Sequence, residues 1–207
     1  MNNAGKFVVF EGIDGSGKTT QLNMLAQRLE GRKLHITKEP TDGEIGLLLR
    51  QFLTGQKYAD EKALAALFLA DRLDHLLSPE YGIKSKIKSG TTVICDRYYL
   101  SSYAYHGSAM PIEWVISANS ICTGILRPDC IVFIDVSPET AVKRITRRDA
   151  GVELFESQER LSRVRDKYFE AIELVKNDEN IIIVDGGRDE ISLSEAIWQA
   201  LQQADVF

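Results

Sequence analysis

The segment Gly12-Ile-Asp-Gly-Ser-Gly-Lys-Thr19 has the spacing GxxxxGK[ST], directly after an apolar run and directly before a helical pattern. Glycines in such a loop let successive N–H groups turn inward around a phosphate, and the helix that follows adds the positive end of its dipole. Lys18 would reach the β- and γ-phosphates, and the Thr19 hydroxyl suits Mg²⁺. Gly12, Ile13, Asp14, Gly15, Ser16, Gly17, Lys18, Thr19 and Thr20 are therefore the candidate ATP-binding residues. The loop alone establishes binding of a nucleoside triphosphate, which GTPases, ATPases and small-molecule kinases share. A GTPase would also carry an NKxD-type guanine motif, and the chain has none.

A second group of chemically capable residues lies at Asp96-Arg97-Tyr98, after another apolar run. Ligands of open α/β sheets sit at the carboxyl ends of strands, so Asp14 and Asp96 are expected near the phosphates, where either holds Mg²⁺ or positions a hydroxyl. Arg97 is a fixed cation able to bridge two phosphates. The plainer alternatives are that Asp96 caps the next helix and that Arg97 forms a surface salt bridge. Between Glu61 and Leu77, the residues Ala63, Leu67, Ala70, Leu73 and Leu77 make a core stripe at helical spacing, and Phe68, Arg72 and His75 an adjacent one. Phe68 beside Arg72 offers an aromatic plate next to a donor fork, which suits a planar base. A phenylalanine on a helix is also ordinary core, and His75 reads as a structural residue or helix-end cation.

These residues need a scaffold. Five β-rich runs are predicted as strands: Phe7–Phe10, Leu34–Thr37, Thr92–Cys95, Cys130–Ile134 and Ile181–Val184. All but the second are nearly continuous apolar stretches, as in strands buried on both faces of a parallel sheet. Helical patterns intervene at Lys18–Leu29, Ile45–Leu53, Glu61–Leu77, Glu139–Arg148, Gln158–Val175 and Ser192–Ala204. This alternation implies right-handed βαβ units in a three-layer α/β/α sandwich. Two stretches fit less well, the aromatic and polar Tyr98–Gly107 and the charged Arg144–Glu156, and each is read as a solvated helix end and turn or as a mobile flap.

At 207 residues, one domain spanning 1–207 is expected. With 44% hydrophobic and 27% charged residues the chain is not disordered in the main. A net charge of −5 does not suit a general nucleic-acid coat, although local Arg and Lys can still bind a small anion. Cys95, Cys122 and Cys130 are odd in number and show no CxxC spacing, which argues against a disulfide or zinc framework, and Cys95 and Cys130, in apolar runs, read as buried thiols in a reducing compartment. No apolar run approaches the roughly 20 residues of a membrane span, and Met1–Lys6 lacks a secretory leader, so a cytoplasmic protein with no membrane partner is expected.

The segments FEGIDGSGKTT (10–20), TKEPTDG (37–43), LFLADRLDH (67–75), DRYYLSSYAYHG (96–107), FIDVSPETAVKRI (133–145) and FESQERLSRVRDKY (155–168) together resemble the thymidylate kinase family over nearly the whole chain. The resemblance implies a P-loop nucleoside monophosphate kinase fold with a five-stranded parallel sheet, transfer of the ATP γ-phosphate to dTMP to give dTDP, Mg²⁺, and a homodimer. It implies that Phe68 stacks on thymine, that Arg72 hydrogen-bonds its O4, and that Ser101 or Ser102 approaches the ring edge. Arg97 would bind the dTMP phosphate, Tyr105 would sit against the deoxyribose, Asp14 would lie near its 3′-hydroxyl, and Glu39 matches the acid of the family's REP segment.

Lys38 stands where the family usually has Arg, and His106, counted with the substrate-binding positions, stands where it usually has Gln. A lid is expected at about 144–156, with Arg144 and Arg148 over ATP. Some members carry an arginine at the position of Gly15; those without it use lid arginines, which here are Arg147 and Arg148. Lys18, Arg97, Arg147 and Arg148 are thus the expected catalytic residues, with Thr19 and Asp96 toward the metal. Two rival readings are a kinase for another small acceptor, such as a deoxynucleoside or dCMP, and a non-catalytic nucleotide-binding module. The intact set Lys18, Thr19, Asp96 and Arg97 argues against the second.

Overall fold

A computed structural model describes residues 4–148 and 158–207, the side chain of Arg148 excepted. Five strands, β1 (Phe7–Glu11), β2 (Leu34–Lys38), β3 (Thr92–Asp96), β4 (Cys130–Asp135) and β5 (Ile181–Asp185), form one parallel sheet in the order β2-β3-β1-β4-β5. Each runs one residue beyond its expected end, and the added residue is always polar: Glu11, Lys38, Asp96, Asp135 and Asp185. Apolar patterning stops there because the carboxyl edge of the sheet is where an open α/β fold meets its ligands.

The helices are α1 (Lys18–Arg28), α2 (Glu44–Leu53), α3 (Glu61–Leu77), α4 (Ile83–Lys88), α5 (Tyr99–His106), α6 (Ile112–Ile125), α7 (Pro138–Arg148), α8 (Gln158–Val175) and α9 (Glu190–Gln203). Local chemistry explains several starts. Asp60 accepts from the Lys62 N–H at the head of α3, and Asp189 accepts from Ile191 and Ser192 at the head of α9. Ser137 accepts from the Thr140 N–H, with Pro138 in the first helical position of α7.

Alternation along the strands builds two cores. Phe7, Val9, Val93, Cys95, Ile131 and Phe133 face α3, α5, α6 and α8, while Val8, Phe10, Ile94, Cys130, Val132 and Ile134 face α1 and α9. The three cysteines are free and buried. The expected three-layer sandwich is therefore present, with four corrections. The apolar run Ile181–Val184 is an edge strand, not doubly buried, and Ile183 is half exposed. Tyr98–Gly107 is neither solvated nor a flap: it is buried helix α5 with the residues flanking it, its tyrosines packed ring against ring, Tyr98 on Tyr99 at 4.6 Å and Tyr99 on Tyr103 at 5.5 Å. Helices α4 and α6 are not among the expected helical patterns, although Ile112, Val115 and Cys122 recur at helical spacing in α6. On α3, Ala63 and Leu77 are exposed, and the buried side carries Ala65, Asp71, Arg72, His75 and Leu76. The polar stripe is the inner one because the site is built on it.

Of the stretch 144–156, residues up to Arg148 form the last turns of α7, and the rest of the expected lid lies outside the described residues. Gly15 ties α7 to the phosphate loop: its φ is +77°, and a Cβ there would meet the Ala141 carbonyl oxygen at 2.5 Å. An L-residue costs about 1–2 kcal/mol in that conformation before any clash. Gly15→Ala is expected to lower the thermal midpoint by at least about 2–8 °C, read by calorimetry, on the scale of about 2–4 °C per kcal/mol for a chain of this size.

Candidate active site

The end of β1 delivers the phosphate loop. Ser16 N–H closes onto the Ile13 carbonyl at 3.2 Å, and Gly17, with φ of 96°, opens α1 with no side-chain cap and no acid in its first turn. The first N–H groups of α1 are thus left to an anion. Lys18 is buried, and its ammonium donates to the carbonyls of Gly12 (2.9 Å) and Ile13 (3.0 Å). Burial, reinforced by Arg97, lowers its pKa to about 8 against the pull of Asp96, Asp14 and Glu11. The Thr19 hydroxyl donates to Asp96 Oδ2 at 2.9 Å, and Asp96 Oδ1 is buried with no hydrogen-bond partner among the described residues. Asp96 does not cap α5; the residue in that position is Tyr98, whose N–H goes to Glu11. Ile13 sits in the core, and Thr20 is exposed on α1. Arg144 donates to the carbonyls of Ser16 (3.3 Å) and Gly186 (2.8 Å), so it holds the loop from α7. Arg147 is exposed on the same helix.

Arg97 is no surface salt bridge. Its φ is 73°, an unusual left-handed conformation for a non-glycine residue. Its guanidinium donates to Ser101 Oγ (3.0 Å), Tyr168 OH (3.2 Å), Asp14 Oδ1 (2.5 Å) and Tyr105 OH (3.3 Å). Tyr105 in turn donates to Asp14 Oδ2 at 3.0 Å. Burial works against the Asp14 charge, but Arg97, Lys18 and Tyr105 outweigh it and hold the carboxyl well below its usual range.

Asp14 and Arg97 border a cavity of about 820 Å³, within the range of nucleotide and drug-sized sites. Phe68, Arg72, Ser102, Tyr105 and His106 line it, along with Glu39 and Ser101. Arg72 is fully buried and immobilised. Its Nε and Nη2 meet Glu39 Oε2 at 2.9 and 2.7 Å, and its Nη1 donates to Ser102 Oγ (2.9 Å) and Asn119 Oδ1 (2.5 Å). His75 supports the same carboxylate, with Nδ1 3.1 Å from Glu39 Oε1 and Nε2 2.7 Å from Thr37 Oγ1. Its role is structural. Next to Arg72 on α3, Asp71 takes the Thr41 N–H (2.9 Å) and hydroxyl (2.6 Å), so α3 clamps the chain after β2 at two points. Phe68 lies in the cavity wall, 5.2 Å from the His106 ring, rather than in either core. Burial, helped by Arg72, lowers His106 to about 4, so its ring is neutral at pH 7, and its Nδ1 is buried with no partner among the described residues.

The fold brings the expected residues to two adjoining places. Gly12–Thr19, Asp96 and Arg144 gather at the phosphate loop, while Glu39, Phe68, Arg72, Ser102, Tyr105 and His106 gather at the cavity, with Asp14 and Arg97 between. The Ser101 hydroxyl, although at the wall, is engaged by Glu11 (2.5 Å) and Tyr168 (2.8 Å). Lys38 pairs with Asp42 and borders a separate cavity of about 560 Å³ beside Thr19 and Asp96. The side chain of Arg148 lies outside the described residues. Sequence reasoning missed Glu11, Asp71, Asn119 and Tyr168. Asp71 was legible as an acid adjoining Arg72. Asn119 was not, because α6 itself went unread.

A parallel sheet in this order, with a phosphate loop after its central strand β1 and a nucleotide-sized cavity sharing an ion pair with that loop, defines a nucleoside monophosphate kinase of the phosphate-loop type. A family model for thymidylate kinase matches residues 10–197. Probable thymidylate kinases are among the similar proteins: from Methanococcus aeolicus, 42% identical over 81% of this chain and 79% of that one; from Methanocaldococcus jannaschii, 40% over 86% of each; and from Pyrobaculum calidifontis, 36% over 96% of each. The chain belongs to the thymidylate kinase family, and its activity is the phosphorylation of dTMP, which implies use of ATP.

The Arg72–Glu39 pair is buried, so removing either partner strands a buried charge. Arg72→Ala and Glu39→Ala are each expected to cost about 3–5 kcal/mol, and the double variant less than their sum. Urea denaturation of all four proteins at constant m-value measures the coupling.

Proposed function

We propose that the chain moves the ATP γ-phosphate onto dTMP to give dTDP, with the phosphate loop and Lys18 on ATP, Arg97 at the dTMP phosphate, and the α3 wall reading the base. The reading includes Mg²⁺, a lid at about 144–156 whose Arg147 and Arg148 assist transfer, a single domain, a homodimer and a cytoplasmic setting. Exposed apolar side chains on α2, α3 and α6, among them Leu47, Leu77, Trp114 and Ile121, support pairing of copies through helices. Among the described residues no helix is long and apolar enough to cross a membrane.

The dTMP phosphate oxygen is already anionic, so transfer needs no strong base; it needs alignment and charge placed in advance. Arg97 meets that need because four oxygens fix its fork before substrate arrives. Tyr105, held to Asp14 and Arg97, stands where a sugar joins base to phosphate. Thr19 and Asp96 fit Mg²⁺: they are hard oxygen donors, one Asp96 oxygen is buried and unpartnered, and Mg²⁺ bound through phosphates needs only one or two protein carboxylates. Mg²⁺ held there would neutralise phosphate charge.

The observation that carries the base assignment is Arg72, buried, locked by Glu39, Ser102 and Asn119, and set in the cavity wall. Arginine only donates hydrogen bonds. Thymine offers the acceptor O4 where cytosine offers an amino donor. A locked donor cannot turn away, and donor against donor leaves buried groups unpaired. An ADP-release assay with dTMP, dUMP, dCMP and thymidine is expected to favour dTMP over dCMP in kcat/KM by about 10⁴. Equal use of the two would sink the role of Arg72.

Lys18 makes a second expectation. Its pKa is lowered to about 8 in the free protein, and only its protonated form neutralises phosphate. The kcat/KM for ATP should therefore fall as pH rises through about 8, a limb that reports the free enzyme. In kcat the limb should move higher, because bound phosphate anions hold the proton on. Lys18→Arg, always charged, should lose the alkaline limb. A limb that stays in place in Lys18→Arg belongs to another group.

A further inference from the structure

The charge balance of the acceptor cavity singles out a residue that no motif assigns. Both arginines set in its wall are already paired, Arg72 with Glu39 at 2.7 Å and Arg97 with Asp14 at 2.5 Å. Glu61 adds a further carboxylate to the lining. Leaving α8 aside, the lining holds three carboxylates, Asp14, Glu39 and Glu61, against the two guanidiniums of Arg72 and Arg97, yet the acceptor carries a phosphate monoester of about −1.5 to −2 charge. Lys38 does not correct the deficit, since it pairs with Asp42 at the other cavity. Lys18 is turned to its own loop carbonyls and is not among the lining residues.

The compensating cations come from α8, which brings Arg160 and Arg163 into the lining of the cavity. Arg163 is exposed and makes no ion pair or hydrogen bond with the other described residues. Its backbone position is nevertheless fixed. Val164, next in sequence, is buried in the cavity wall, and Tyr168, one turn on, is anchored to Glu11, Ser101 and Arg97. The arrangement is an exposed charged fork on an anchored stem, in the lining of the cavity that Arg97 also borders.

We propose that Arg163 binds the phosphate of the incoming nucleotide and makes this cavity select a nucleoside monophosphate over the bare nucleoside. This rests on the acceptor reading of the cavity given above. A planar fork suits a phosphate in two-point contact. Because the side chain is exposed, its contribution is screened by salt and shows in binding more than in chemistry.

Calorimetric titration of the full chain with dTMP and, separately, with thymidine tests this without turnover. Arg163→Ala is expected to raise the Kd for dTMP about tenfold or more, the scale of one charge-assisted contact, and to leave thymidine within about twofold. Arg163→Lys, which keeps the charge and loses the fork, should fall between. Lys176→Ala, which removes an equal charge just beyond the far end of α8, should bind dTMP like the wild type. Added salt should erode the preference for dTMP over thymidine more in the wild type than in Arg163→Ala. Equal weakening of dTMP and thymidine would mark a structural role and overturn the proposal, as would unchanged dTMP binding. A wild type that binds dTMP through Arg163 yet does not phosphorylate it would count against the kinase reading and leave this one standing.

Discussion

A single buried carboxylate holds the working parts together. Glu11, the last residue of β1, is fully buried, and it accepts four hydrogen bonds: from the N–H groups of Tyr98 (2.8 Å) and Ser101 (3.1 Å), the Ser101 hydroxyl (2.5 Å) and the Tyr168 hydroxyl (3.0 Å). Burial raises its pKa, and the Ser101 hydroxyl, the Arg97 charge and the N–H groups of Tyr98 and Ser101 resist that rise. Through the four hydrogen bonds the strand that launches the phosphate loop is bound to the start of α5 and to the middle of α8. Arg97 is caught between, with its N–H on the Phe10 carbonyl and its side chain on Ser101 and Tyr168. A left-handed non-glycine residue costs of order 1–3 kcal/mol and persists only where its surroundings over-determine it. Here they do, and the strained residue is the one that reaches both halves of the site.

The remaining polar interior follows the same logic. Arg72 with Glu39 and Arg97 with Asp14 are ion pairs in places where hydrophobic groups of equal volume would be at least as stable. Their use lies in geometry. A guanidinium with four of its five N–H donors already engaged is held in place and keeps one for a substrate, so the site spends little on reorganisation during transfer. The phosphate loop is arranged differently. Lys18 satisfies itself on its own carbonyls, contacts that phosphate oxygens can take over. The acceptor side is thus rigid, while on the donor side a lysine can change partners.

How legible each part was depends on whether its signal is local. The phosphate loop could be read whole, because its glycines, lysine and threonine interact with neighbours a few residues away. Four strands carried continuous apolar runs, and the stops at Glu11, Asp96 and Asp135 mark the carboxyl edge of the sheet. Helix α5 gave no periodic signal because it is buried on nearly every side. In α6 the buried set Ile112, Val115, Asn119 and Cys122 lies among β-branched and small residues whose helical preference is weak, so packing decides the element. With α6 unread, Asn119 had no reason to be placed against Arg72.

By itself the sequence determined the alternating α/β order, the phosphate loop and, through DRYYLSSYAYHG and LFLADRLDH, the family. These are matters of residue type and short spacing, and short-range chemistry is written in order along the chain. Only the tertiary structure decided that Glu11 is the hub, that Ser101 is bound to it, that Lys38 borders a cavity separate from the one Arg72 lines and that Arg163 lines the latter. Those outcomes depend on contacts between residues as far apart as Glu11 and Tyr168. Whether a carboxylate is a solvated surface group or a buried anchor is set by what packs over it, and that is a property of the fold rather than of any segment.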